Sequence, residues 1–216
     1  PWGHSDALVG VVVVALVSVA SLGLVVLAYD DGGAPLGAVL LTTLALEAAM
    51  VGAAVRLGPW GHGPATLLFG PRRLTTWPLF GWAALAFFAS LLLTAVYVSL
   101  VERVSVDLVP PALPLELTES GLRWLAFLII VLAGPASEEI FFRGFLFAGL
   151  LRRFGAPVAM VISAAVFAIA HLDVALLGPA FLAGIAFAYV YWQTGTLWAV
   201  IMAHTAQNAI AFAISG

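Results

Sequence analysis

Long uncharged stretches constrain the fold of this chain more than any other feature of its sequence. Residues 7–28 carry no charged side chain and are long enough to cross a hydrocarbon core of about 30 Å as a helix. Further apolar segments cover residues 36–57, 78–101, 122 to about 151, 156–172, 175–193 and 196–214. The pattern predicts an all-α fold, a polytopic transmembrane bundle of about seven helices, within a range of about six to eight.

The overall composition excludes an ordinary water-soluble domain. Hydrophobic residues make up 63% of the chain and charged residues 9%, whereas soluble domains average about 45–50% and about 25%. We therefore expect a single membrane domain over residues 1–216. Within it, residues 1–119 would form the N-terminal helices and residues 120–214 a second group of helices.

Charge and cysteine content exclude several partners. The net charge is −3 and no basic run of the kind that binds nucleic acid is present, so nucleic acid is not an expected partner. The apolar spans make the lipid bilayer the expected surroundings. Cysteine is absent, which excludes disulfides and thiolate metal sites. All eight basic residues are Arg, a composition that favours a bacterial source and hence a bacterial cytoplasmic membrane. The sequence does not indicate an oligomeric state.

The placement of arginine predicts an orientation in the membrane. The arginines between the second and third spans and between the fourth and fifth spans are Arg56, Arg72, Arg73, Arg152 and Arg153. The positive-inside rule then places the N-terminus in the cytoplasm and the C-terminus outside, if there are seven spans. One missed helix would invert part of this assignment. Residues 66–77 are expected to lie along the membrane interface.

Three charged residues occupy one predicted span. Glu138, Glu139 and Arg143 would each cost about 2.5–3.5 kcal/mol at the centre of a membrane helix, so their presence needs a reason. Glu139 and Arg143 are four apart and can pair on one face, whereas Glu138 is offset by about 100° and is left free to face a cavity. A buried ion pair that only fixes helix packing is the alternative. Gly134-Pro135 is expected to break and kink the same helix.

Two histidines also fall in apolar spans. Counted at about 1.5 Å per residue from the Arg152 side, Glu138 and His171 lie about 22 Å deep and His204 about 12 Å deep, so the three are expected to converge. Asn208 follows His204 by one helical turn. A lone membrane histidine more often serves packing than catalysis. Small residues in the fifth and sixth spans, including Ala164 and Gly184, would allow the close helix approach that convergence requires.

The polar residues form three motifs that occur in order on hydrophobic helices. They are Glu-Glu-x-x-x-Arg at Glu138, Glu139 and Arg143, Phe-x-x-x-His at Phe167 and His171, and His-x-x-x-Asn at His204 and Asn208. The chain therefore resembles the CPBP family of intramembrane proteases, which includes type II CAAX prenyl endopeptidases and bacteriocin-processing (ABI) members. The resemblance covers roughly residues 120–212, and the first hundred residues show only membrane helices.

The resemblance implies an endopeptidase that hydrolyses a peptide bond of a membrane-associated peptide or protein. In that family pattern Glu138, assisted by His171, activates a water molecule. His204 and Asn208 would donate hydrogen bonds to the oxyanion of the tetrahedral intermediate. The supporting residues would be Glu139, Arg143 and Phe167.

Metal dependence is a separate question. Glu138, His171 and His204 would make a His2Glu set suited to zinc, so a zinc cofactor is possible. Asn208 is a poor zinc ligand but a good hydrogen-bond donor. A metal-free glutamate mechanism is favoured, and no cofactor is predicted.

Other functions fit part of the pattern. A proton-coupled transporter would also place acids near the membrane midplane, although the internal repeat expected of such a carrier is not visible. A non-catalytic protein that binds membrane peptides is the second alternative. Glu47 lies inside the second span with no partner evident from the sequence, and a side chain that is protonated or hydrogen-bonded to a neighbouring helix is favoured over a functional one.

Overall fold

The computed structural model describes residues 3–29, 33–58 and 76–215, and every regular element in these ranges is helical. The helices are α1 (His4–Ala28), α2 (Leu36–Leu57), α3 (Thr76–Val101), α4 (Leu115–Glu119), α5 (Arg123–Ala170), α6 (Val174–Thr194) and α7 (Leu197–Ile214). A 3-10 turn at Val106–Leu108 precedes α4. Six of these helices are long and apolar enough to cross a membrane. The predicted all-α, multi-pass membrane fold is confirmed.

Helix α5 contains two of the predicted spans. Gly155 adopts φ 72° and ψ 169°, which separates an arm α5a (residues 123–154) from an arm α5b (residues 156–170). A straight helix of 48 residues would measure about 72 Å, more than twice the hydrocarbon thickness of a bilayer. Glycine tolerates the positive φ that lets the chain turn. Arg152 and Arg153 are exposed at this turn.

The two arms match the predicted spans 122–151 and 156–172 to within a few residues. One of the six candidate spans is thus folded in two, so the described chain contains seven long helical rods, in agreement with the predicted number.

The predicted break at Gly134-Pro135 is wrong, because the helix continues through it, whereas the predicted kink stays a prediction. Two π-helical segments, Leu128–Ala133 and Ile140–Phe147, flank an α-helical segment at Gly134–Glu139, and Gly134 keeps helical angles of φ −55° and ψ −61°. The Gly134 N–H bonds to the Ile129 carbonyl, five residues back. This wider turn removes the four-residue spacing at which a proline ring clashes. The helix therefore passes through the proline without interruption.

Helices α5 and α6 form the centre of the bundle. Half of the most apolar window of each is buried (50%), compared with 6% for α1. Helix α6 packs against α5b and α3, whereas α7 packs against α3 and α5a, and α2 packs against α1 and α5a. The helices that carry the three motifs are therefore neighbours in the middle of the molecule.

Small residues bring α5b and α6 together, as predicted. A Cβ placed on Gly184 would lie 2.9 Å from the Cβ of Ala164, closer than real side chains approach. Only glycine permits this separation. The result matters for the site because α5b carries Phe167 and His171, and α6 precedes the helix that carries His204.

A tight turn joins α6 to α7. Gly195 takes the left-handed conformation with φ 64°, and its N–H bonds to the Tyr191 carbonyl at 2.7 Å. The Thr196 hydroxyl then caps α7 by accepting a hydrogen bond from the Trp198 N–H at 3.4 Å. The turn sends α7 back along α6 and toward α5a.

Some sequence predictions fall outside the described residues. Arg72, Arg73 and most of the proposed interfacial segment belong to residues 59–75, which lie between the described ranges. The orientation in the membrane and the interfacial segment stay predictions, as does the single-domain organisation.

Candidate active site

The two adjacent glutamates have different surroundings. Glu139 is fully buried and its Oε1 atom lies 2.8 Å from Nη1 of Arg143, which confirms the predicted pair. Glu138 retains 26% exposure of its side chain, and its Oε2 atom has no hydrogen-bond partner among the described residues. The helical offset has therefore separated the two carboxylates as predicted, and Glu138 is the one left available.

Arg143 is held on several sides although it is entirely buried. Besides Glu139, its Nη2 donates to the Gly184 carbonyl at 3.3 Å. Its guanidinium carbon lies 4.5 Å from the ring centroid of Phe167 and 5.4 Å from that of Phe187. Cation–π contacts of this kind are strengthened where water is absent. Arg143 thus connects α5a to both α5b and α6.

His204 joins the two glutamates from α7. Its Nδ1 lies 2.9 Å from Oε1 of Glu139, the same oxygen that binds Arg143. Its Nε2 lies 3.7 Å from Oε2 of Glu138. Since an ionised carboxylate only accepts hydrogen bonds, the Glu139 contact places hydrogen on Nδ1 and directs Nε2 toward Glu138.

The sequence did not predict the contact between Glu139 and His204. The sequence predicts the pair of Glu139 with Arg143, and the structure adds His204, so that Glu139 is an acceptor shared by both. No sequence signal identifies this pairing, because it depends on how α7 is rotated against α5a.

The surroundings of His171 differ from those of Glu138 and His204. It is exposed at the end of α5b, where its Nδ1 lies 2.9 Å from the Phe167 carbonyl. In the described part of the chain no hydrogen bond or ion pair joins it to Glu138 or His204. Its link to His204 is the Phe167 ring, whose centroid lies 4.9 Å from His171 and 6.0 Å from His204.

Asn208 lies one turn beyond His204 on α7 and is half-buried. Its Nδ2 donates to the backbone carbonyl of Ile130 on α5a at 2.9 Å. An amide nitrogen carries two hydrogens, so one remains for another acceptor. Together the two α7 residues contact α5a on either side of Gly134-Pro135.

The segment that carries the three motifs is similar to a known protein family. Residues 120–210 match the family described as type II CAAX prenyl endopeptidase Rce1-like. We call residues 120–210 the Rce1-like segment because of this similarity. This Rce1-like segment contains all seven motif residues and comprises α5, α6 and most of α7.

A curated bacterial protein is similar to part of this chain. The chain is 33% identical over 84 residues to YdiL of Bacillus subtilis, a protein named as a membrane peptidase. The match covers 39% of this chain and 34% of YdiL, so the chain spans about a third of that relative. No solved structure matches the chain.

The side chains of the Rce1-like segment do not form the predicted alternative zinc set. Among the residues that the structure describes, no group of three or more His, Asp or Glu side chains is arranged to hold a metal ion. Glu138 and His204 are adjacent, but His171 faces the Phe167 carbonyl instead. The His2Glu ligand set therefore does not fit this arrangement, while the preference for a metal-free mechanism stays a prediction.

Glu47 approaches the Rce1-like segment from outside it. This residue of α2 is 5% exposed, and a Cβ added to Gly134 would lie 3.2 Å from its Oε1 atom. Its Oε2 atom has no hydrogen-bond partner within the described ranges. Glu47 thus packs against the turn that precedes Glu138. Its protonation, or a hydrogen bond to a neighbouring helix, stays a prediction.

Phe187 is a further residue that the motifs did not identify. Its ring centroid lies 5.4 Å from the His204 ring and 5.4 Å from the Arg143 guanidinium. Phe142 packs edge-on against Phe167, with the two ring centroids 5.0 Å apart. These rings restrict His204 and Arg143 to the positions that bind Glu139.

Proposed function

We propose that this chain is an intramembrane endopeptidase that hydrolyses a peptide bond of a membrane-associated peptide or protein. The observation that carries the proposal is the position of Glu138. Its carboxylate has an oxygen without a protein hydrogen bond in the described structure, and that oxygen faces Nε2 of His204. A base held beside a fixed donor, within an apolar helix bundle, is an arrangement suited to activating water.

In the proposed reaction Glu138 accepts a proton from a water molecule near both Glu138 and His204. The resulting hydroxide attacks the scissile carbonyl carbon, and the carbonyl oxygen becomes the oxyanion. Glu138 then returns its proton to the amide nitrogen as the carbon–nitrogen bond breaks, which releases a carboxylic acid and an amine. The acid afterwards loses its own proton to solvent. No metal enters these steps.

The oxyanion would be bound by His204 and Asn208. His204 donates through Nε2, which requires hydrogen on both ring nitrogens because Nδ1 serves Glu139. Asn208 donates through the Nδ2 hydrogen that does not bind Ile130. Both residues come from one face of α7, so a single helix supplies the two donors.

His171 is proposed to assist Glu138 in activating the water. Its support is narrower than that of His204, because its Nδ1 is bound to the Phe167 carbonyl. Its Nε2 atom is left to act, and its ring shares Phe167 with His204. We assign the direct contact with Glu138 to His204 and an auxiliary role to His171.

The experiment compares peptides generated by cells that express the wild type or Glu138→Gln. Peptide N-termini in the membrane and medium fractions are identified by mass spectrometry, with the exposed Glu116→Gln variant on α4 as a matched control. We expect a set of N-termini that appears with the wild type and the control but not with Glu138→Gln. Identical sets in all three would contradict the proposal and favour a transporter or a non-catalytic binder.

A further inference from the structure

Pro135 leaves one backbone carbonyl of α5a without its helical partner. The Gly134 N–H bonds to Ile129, five residues back, so the next N–H in the same register would serve Ile130. Residue 135 is proline and has no N–H. The carbonyl of Ile130 therefore has neither Gly134 nor residue 135 as a donor.

Asn208 supplies the missing hydrogen bond from another helix. Its Nδ2 donates to the Ile130 carbonyl at 2.9 Å across 78 positions of sequence. Pro135 is buried and Ile130 is half-buried. Within a membrane an unsatisfied carbonyl is costly because no water replaces the lost partner. The proline and the asparagine are thus complementary, although they are distant in sequence.

We propose that Asn208 is a positioning residue, whose amide replaces the backbone hydrogen bond that Pro135 cannot form. The bond ties α7 to α5a one turn from His204, and Ile130 lies two turns before Glu138. It thereby fixes the separation of His204 and Glu138. One Nδ2 hydrogen of Asn208 thus binds the Ile130 carbonyl, and the other is left for the oxyanion. The effect of this hydrogen bond on catalysis rests on the proposed function.

A double-mutant cycle of Pro135 and Asn208 tests the proposed hydrogen bond. Asn208→Leu removes the donor at similar volume and is expected to lower the Tm of the purified protein in detergent. Pro135→Ala restores a backbone N–H beside Ile130 and favours helix. In the Pro135→Ala background, Asn208→Leu is therefore expected to lower the Tm by much less than it does in the wild type. Pro157→Ala, at the start of α5b, is the matched control and should leave the effect of Asn208→Leu unchanged.

A spectroscopic measurement separates this hydrogen bond from general packing. The backbone carbonyl of Ile130 is labelled with carbon-13 and observed by NMR in the reconstituted full chain. We expect its resonance to move in Asn208→Leu and to return toward the wild-type position in Pro135→Ala/Asn208→Leu. An unmoved resonance in Asn208→Leu, or additive Tm effects of the two substitutions, would overturn the proposal.

Activity provides the remaining readout. Once a cleaved peptide is known, the double variant should recover part of the rate lost in Asn208→Leu through restored positioning. The lost oxyanion donor is not restored, so recovery should be incomplete. A double variant as slow as Asn208→Leu contradicts the positioning role. If instead the Tm cycle and the resonance behave as expected but the wild type cleaves nothing, the proposed function fails while the hydrogen bond stands.

Discussion

The Glu139 carboxylate lies 2.9 Å from Nδ1 of His204, a contact between α5a and α7 that joins residues 65 positions apart. The same oxygen binds Arg143. A buried carboxylate shared in this way fixes the rotation of the imidazole and thus the direction of Nε2. In our proposal Glu139 therefore orients His204, which in turn contacts Glu138.

Breaking this shared contact should reduce stability and activity together. Arg143→Gln leaves Glu139 as a buried carboxylate without its cation, a change that typically costs about 3–5 kcal/mol. Glu139→Gln removes the charge that Arg143 and His204 both face. We expect lower unfolding temperatures in detergent for both variants. A variant with wild-type stability and rate contradicts the role, and the exposed Glu119→Gln on α4 serves as the control.

The two histidines should differ in their contribution to the rate. His204→Ala removes the residue beside Glu138, and loss of one oxyanion donor typically lowers the rate by about 10²–10³. His171→Ala removes a side chain that forms no hydrogen bond or ion pair with Glu138 or His204 in the described structure, so we expect a smaller loss. Cleavage rates of one identified peptide, measured for both variants, test the order. The reverse order would show that His171 is the direct partner.

Removal of metal ions tests whether the reaction needs a metal, since the described side chains form no three-ligand cluster. We expect the cleavage rate to survive exhaustive chelation, and elemental analysis of the purified protein to find no stoichiometric zinc. A rate that is lost on chelation and restored by zinc would favour a metal mechanism. It would also require a rearrangement that brings His171 to Glu138.

Gly184 should not tolerate even a methyl group. Gly184→Ala would place a Cβ 2.9 Å from that of Ala164, and overpacking of this kind typically costs about 1–3 kcal/mol. Gly52→Ala on α2 is the matched control because nothing lies within 4 Å of its added Cβ. The control should gain up to about 1 kcal/mol from helix propensity. Equal unfolding temperatures for the two variants would contradict the tight α5b–α6 contact.

A substitution of Glu47 tests whether this residue contributes to packing or to catalysis. Glu47→Gln removes an ionisable group from a buried position while it keeps the shape, so we expect an unchanged or higher Tm and little change in rate. The measurement is thermal unfolding together with cleavage of the same peptide. A stable Glu47→Gln variant without activity would place Glu47 in the catalytic site.

Much of the membrane fold follows from local sequence properties. Apolar length predicts the spans, and the four-residue spacing of Glu139 and Arg143 predicts their pair. Both depend only on neighbours along one helix. The separation of Glu138 from that pair follows from the same geometry, and the structure confirms it.

The contacts between helices could not be predicted in the same way. Depth counted along a straight α-helix placed His171 level with Glu138, but depth does not fix which way a side chain faces. The π-helical turns also change the register before and after Glu138. The pairing of Asn208 with Ile130 required knowledge of both the wider turn and the rotation of α7.

The most direct test of the central claim is a cleavage assay with purified, reconstituted protein. Wild type and Glu138→Gln are compared on a single peptide identified in cells, at equal concentration and after their Tm values are shown to agree. The account predicts that product forms with the wild type and that the rate with Glu138→Gln falls to background. Cleavage by a folded Glu138→Gln variant at the wild-type rate would contradict the assignment of Glu138 as the base.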